Sequence, residues 1–131
     1  MIEAGLFAHL VALGTAAGAR VYPSVLPQGV RYPALTYQLV SDPRAMTHDG
    51  ATNQVEARYQ VTAWSPVYDE AKALAKEVRA GLFGFTGPMG DVHVARVGYE
   101  GGPDLYEPGV GPRGAHGLHY APRDYVIQYT E

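Results

Sequence analysis

The stretch that most constrains the fold is 55–83, VEARYQVTAWSPVYDEAKALAKEVRAGLF, where a strand pattern gives way to a helix pattern across two punctuating residues. Val55, Ala57, Tyr59, Val61 and Ala63 fall on every second position, with Glu56, Arg58, Gln60 and Thr62 between them. That is the period of a strand with one buried face. After Ser65-Pro66 the apolar positions become Ala71, Leu74, Ala75, Val78 and Leu82, which form one stripe on a helix. The sequence predicts Ser65 as the cap that accepts a first-turn amide and Pro66 as the first helical residue, where no donor is lost. Asp69 and Glu70 then lie near the positive end of the helix dipole. Strand and helix should pack on one another, which specifies a fold without specifying a function.

The totals restrict the class. A chain of 131 residues suits a single domain with its own core, spanning 1–131. With no cysteine there are no disulfides and no thiolate metal sites, so packing must hold the fold. The net charge is −3 and the ten Lys and Arg residues form no basic run, which argues against a nucleic-acid reader. The apolar run from Ala4 to Gly14 follows no basic leader and is too short to span a bilayer, so a soluble, unexported protein without membrane contact is expected. The chain has sixteen glycines and ten prolines, and half of these residues cluster at 84–90 and 101–117, where long loops are expected.

Elsewhere the periodicities are shorter. Ile2, Leu6, Leu10 and Leu13 make one helical stripe, and Gly14 is placed to end it in a left-handed cap. Arg20-Val21-Tyr22 reads as a brief edge strand stopped by Pro23, and Leu26-Pro27-Gln28-Gly29 as a turn. ALTYQLV, opened by Pro33, alternates with Leu35, Tyr37 and Leu39 on the core side. Residues 41–54 read as a protruding loop, with Asp42-Pro43 and Asp49-Gly50 as turn signals. VHVARVGY, 92–99, alternates without declaring which face is buried, and 101–117, with six glycines and three prolines, suits no regular element. The last strand runs from Tyr120 to Thr130. The order predicts an α+β fold: a mainly antiparallel, four- to five-stranded sheet with the 55–63 strand central and both helices packed on one face. The outward sheet face then carries Arg58, Gln60, Thr62 and Trp64.

Chemistry is sparse. His116 and His119 with Asp104 and Glu107 contain zinc-ligand types, and the two carboxylates could form an acid–base pair, which defines a metal-dependent hydrolase as the enzymatic alternative. Neither arrangement has a helix to fix its geometry, and exposed or salt-bridged loop residues are the plainer account. The glycine-rich GPMG and GVGPRG lack the Lys-Ser/Thr ending of a phosphate loop. No serine has a recognisable base, so neither an enzyme nor a cofactor is expected. Trp64, the only tryptophan, is either a packing residue at the helix start or an interface anchor. Ten tyrosines against three phenylalanines favour surfaces with a wet edge and an apolar body.

MIEAGLFAHL, RVYP with a following PQG, YPALTYQLVSD, VEARYQVTAWSPVYDEAKALAKEVRAGL, DLYEP and a terminal DYVIQY resemble, in that order, the tail-completion proteins of long-tailed phages. Those are similar to tail terminators, small α+β subunits that form a ring on the tail tube and join it to the head connector. The sequence departs from that pattern at 108–117, a glycine-rich lengthening before the last strand. The resemblance implies a structural protein, assembled in the host cytoplasm and placed at the tail–neck junction of the virion. It implies a homo-oligomeric ring, a hexamer, that stops tube polymerisation and meets both the tail tube protein and the head–tail connector. Another neck or head-completion component is the alternative within this class. DNA would pass through the channel without specific binding, past carboxylates that do not hold its phosphates. Interface residues expected on this reading are Arg44, Met46, His48 and Asp49 in the protruding loop, Arg58, Gln60 and Trp64 on the sheet, and Asp104, Tyr106 and Glu107 in the glycine-rich stretch.

Overall fold

A computed structural model describes residues 2–45, 54–109 and 117–130. Two helices, α1 (Ile2–Ala12) and α2 (Tyr68–Leu82), accompany seven strands: β1 (Val21–Pro23), β2 (Ala34–Ala45), β3 (Gln54–Ser65), β4 (Gly87–Met89), β5 (Val92–Gly101), β6 (Leu105–Glu107) and β7 (Leu118–Thr130). They form one curled sheet in the order β1-β2-β3-β7-β5-β4, with β6 added beside the first part of β7. The α+β class is as expected, but the sheet is larger than four or five strands and mixed, because β1 runs parallel to β2. Parallel neighbours ordinarily need a long crossover, so a three-residue edge strand reached through a looping 24–33 segment gives the sequence no parallel signature.

Strand β3 is interior, between β2 and β7, and its alternation is realised: Ala57, Tyr59, Val61 and Ala63 are buried. They meet Leu35 and Tyr37 from β2, Tyr125, Ile127 and Tyr129 from β7, and Val94 and Val97 from β5 in one core. The expected stripe of α2 is buried at every position, and the helix lies over β3 and β7. Leu39, assigned to the core, is exposed instead; a shift of register between Leu39 and Ser41 marks where β2 leaves the covered part of the sheet. The indecision over β5 has a similar cause. A bulge between Val94 and Arg96 flips the alternation, so Val92, Val94 and Val97 are all buried.

The helix boundary differs by two residues from the expectation. Helix α2 starts at Tyr68, with extended Val67 as its cap residue and Pro66 before it. Ser65 still organises the junction: its Oγ accepts the Val67 N–H at 3.0 Å and donates to Glu70 Oε1 at 2.6 Å. The serine thus fixes the turn between strand and helix rather than the first helical amides. Helix α1 buries Ile2, Leu6 and Leu10 and is followed by Gly14, whose φ of 67° is the left-handed cap the spacing called for. Gly5 sits mid-helix because any side chain there would strike the Met89 carbonyl of the β4–β5 turn. Helix α1 therefore docks backbone to backbone on a hairpin whose first strand read as a loop. Pro88 argues against a central strand, yet β4 is the sheet's outer edge, where a missing donor is tolerated.

Candidate functional site

Strand β7 carries the features that organise the two surfaces. Consecutive residues of a strand point to opposite faces, and Arg123 and Asp124 do so, each forming an ion pair on its own side. On the helix side, Arg123 donates from Nη1 to the carbonyls of Pro103 at 2.7 Å and Pro122 at 3.1 Å, and from Nη2 to Asp104 Oδ1 at 2.6 Å. Lys72 of α2 reaches the other oxygen of Asp104 at 2.7 Å. The Arg123 guanidinium, and after it the Lys72 ammonium, hold the Asp104 carboxyl below the usual carboxylate range, and the hydrogen bond to Asp104 raises Lys72. Asp104 is therefore a fastener: it ties the 102–104 segment to both the sheet and α2, and thereby positions β6.

On the outward side, Asp124 receives Arg58 Nε at 3.0 Å and Nη2 at 2.8 Å on one oxygen, and Gln60 Nε2 at 3.0 Å on the other. Two residues expected at an interface are thus brought together, by a carboxylate that the register of β3 against β7 supplies. Further along the same face lies Trp64. Its Nε1 donates to Thr36 Oγ1 at 2.9 Å, and its ring stacks on Tyr120 at 4.6 Å between centroids. The packing reading of this tryptophan is realised, since its polar atom is satisfied within the chain and its ring is stacked, while the residue stays half-buried. One side of it borders a depression of about 400 Å³, walled by Val25–Gly29, Tyr32, Glu107 and Leu118. Trp64 and Glu107 therefore share a site.

The remaining expectations divide. Arg44 is not in a loop: β2 continues to Ala45 and pairs Arg44 with Glu56, because Asp42-Pro43, read as a turn, is absorbed by a register irregularity instead. Met46, His48, Asp49 and His116 lie outside the described residues. Tyr106 is exposed on β6, contrary to the absence of any regular element at 101–117. Its ring lies 4.6 Å from that of His119, which also meets Tyr68 at 5.4 Å. For the hydrolase alternative this is unhelpful geometry, since His119 is packed between aromatic rings and Asp104 is occupied by two cations. Among the described residues no group of three or more His, Asp or Glu is arranged to hold a metal, and no helix is long and apolar enough to cross a membrane. Sequence reasoning missed Arg123, Asp124 and the Lys72 pairing. Nothing local announces them, because each partner lies between 19 and 66 residues away.

The model of the family described as Tail completion protein gp17 matches residues 4–116. The chain belongs to this family. Membership makes it a structural component of a phage-type tail. Among solved structures, a chain from the virion of a native gene transfer agent particle is similar with a TM-score of 0.60 and 17% identity, covering 93% of this chain and 84% of that one. A second solved chain, whose description states no role, gives a TM-score of 0.53 at 20% identity over 99% of this chain and 94% of its own. Identities this low establish shared architecture only. No curated protein matches the sequence significantly.

Proposed function

We propose that this tail-completion protein forms a ring, a hexamer, at the head-proximal end of the tail tube, ending tube polymerisation and joining the tail to the head connector. The observation that carries the proposal is the family match across most of the chain. The outward sheet face supports it, because Arg58, Gln60 and Asp124 form a preorganised polar cluster beside a tryptophan-walled depression. A closing ring needs two different, complementary surfaces on each subunit. The sheet face and the segment 46–53, with Met46, His48 and Asp49, are the proposed pair. Carboxylates lining the channel would let DNA pass without being held.

Native mass spectrometry and negative-stain imaging of the purified protein, alone and with tail tubes, test this reading. Rings at one tube end, together with arrested elongation, are expected, including rings that form only on the tube. A monomer that never binds a tube would overturn the proposal. Binding to the portal side alone would instead make the protein another neck component.

A further inference from the structure

The sequence has no basic run, yet the fold gathers cations along one side of α2. Lys72, Lys76 and Arg79 lie at positions i, i+4 and i+7, on one helical face. With Tyr99 and Arg123 they wall a depression of about 350 Å³, which continues past Lys76 and Arg79 into a second of about 290 Å³ that ends at Phe83. Arg123 and Lys72 are engaged by Asp104, but no carboxylate among the described residues pairs with Lys76 or Arg79. Arg79 instead lies over the ring of Tyr99, 4.5 Å from its centroid. Phe83, which closes the groove, is 50% exposed.

We propose that this groove binds an extended acidic segment of a partner protein, with carboxylates on Lys76 and Arg79 and an apolar side chain on Phe83. The length fits: from Lys72 to Phe83 is about 17 Å along a helix, the span of about five residues of extended chain. Charge complementarity selects an anion. The exposed phenylalanine selects a peptide over a phosphate backbone, which offers nothing apolar to cover it. Two unneutralised cations would also release few counterions from a duplex, so DNA affinity at physiological salt would be slight. The surface lies on the helix side, away from Arg58 and Asp124, and stands whether or not the ring of the preceding proposal forms.

Fluorescence anisotropy on the full chain tests it, using a short labelled peptide of alternating glutamate and glycine that ends in phenylalanine. Comparators are the same peptide ending in alanine and a labelled DNA duplex. We expect salt-sensitive binding of the first peptide, about fivefold weaker binding of the alanine-ended form, and about tenfold loss in K76E, the scale of one surface charge reversal. Lys76 is exposed, so K76E keeps the fold, as circular dichroism would verify; K76E/R79E should deepen the loss, and K76E alone decides if the double variant unfolds. Peptide binding unchanged in K76E would overturn the proposal, as would no peptide binding at all. A duplex bound as tightly as the peptide, or an effect confined to self-association of the chain, would overturn it in favour of a phosphate surface or a neighbouring copy.

Discussion

Arg123 and Asp124 are neighbours in sequence, and both are charged, yet they serve opposite sides of the sheet in different ways. The Arg123 side chain is 10% exposed and meets three oxygens, two of them backbone carbonyls, so it works as an internal clamp on the glycine-rich 102–104 segment. The Asp124 side chain is 17% exposed and faces an Arg58 that is 41% exposed, so its pair stands where a partner could reach it. The contrast separates what a charge does for the fold from what it offers to assembly. A pair drawn into the protein must satisfy every donor at home; a pair at the surface contributes little to stability and is free to be re-used.

Removing the clamp breaks the comparison most severely. Arg123→Met keeps an unbranched side chain of similar length and withdraws all three hydrogen bonds, leaving the Pro103 and Pro122 carbonyls without the guanidinium and Asp104 with Lys72 alone of its two cations. A loss of about 3 kcal/mol in urea unfolding is expected, the upper part of the range for hydrogen bonds to charged groups. A cost no larger than that of a surface substitution would show that the 102–104 segment is held by something else.

The same contrast explains what the sequence disclosed. Helix α2, strand β3 and the last strand were legible because burial of Leu74, Val78, Tyr59, Val61, Tyr125 and Ile127 imposes a period on neighbouring residues. Strand β6 was not, because Leu105, Tyr106 and Glu107 are all exposed and held by pairing with β7 and by the Asp104 fastening, neither of which has a local period. The β5 bulge and the parallel β1 failed for a related reason, since registers between strands are set by long-range contacts that single-strand patterns do not record. At the candidate site, Arg58, Gln60 and Trp64 could be placed on the outward face by parity alone. Their partners Asp124, Thr36 and Tyr120 required the register of three strands. The basic groove was written in the i, i+4, i+7 spacing of Lys72, Lys76 and Arg79, but a charged helix face usually means only solvent.

Asp104→Asn sharpens the comparison by a smaller step, because Arg123 keeps its two carbonyl acceptors. A loss of about 1–2 kcal/mol near neutral pH is expected. The folded-state pKa of Asp104 lies below its unfolded value, so its contribution is present above the ordinary carboxylate pKa and fades as pH falls through the lowered one. The gap between wild type and variant should therefore close in acid. Lys72, raised in the fold, contributes below its ordinary pKa and stops contributing as pH rises through the raised one. A gap that stays constant across the acid range would mean that Asp104 acts through packing rather than charge.

The outward pair should give the smallest effect on stability and the most informative one on assembly. Arg58→Gln leaves Gln60 on Asp124 and removes an exposed guanidinium, so unfolding should shift by about 0.5 kcal/mol, as is usual for partly exposed pairs. If the sheet face is one side of a closing ring, the substitution repeats at every interface, and ring formation on tail tubes should fall far more than stability does. Asp104→Asn is the control, since it costs more in stability while leaving the Arg58–Gln60–Asp124 cluster as it is. Loss of assembly in Arg58→Gln with assembly retained in Asp104→Asn would assign the outward face to the interface. The reverse order would move the contact to the helix side, where Lys76 and Arg79 stand without a carboxylate. Because both substitutions are read in the same two measurements, differences in expression or in tube quality cannot reproduce that crossing of effects.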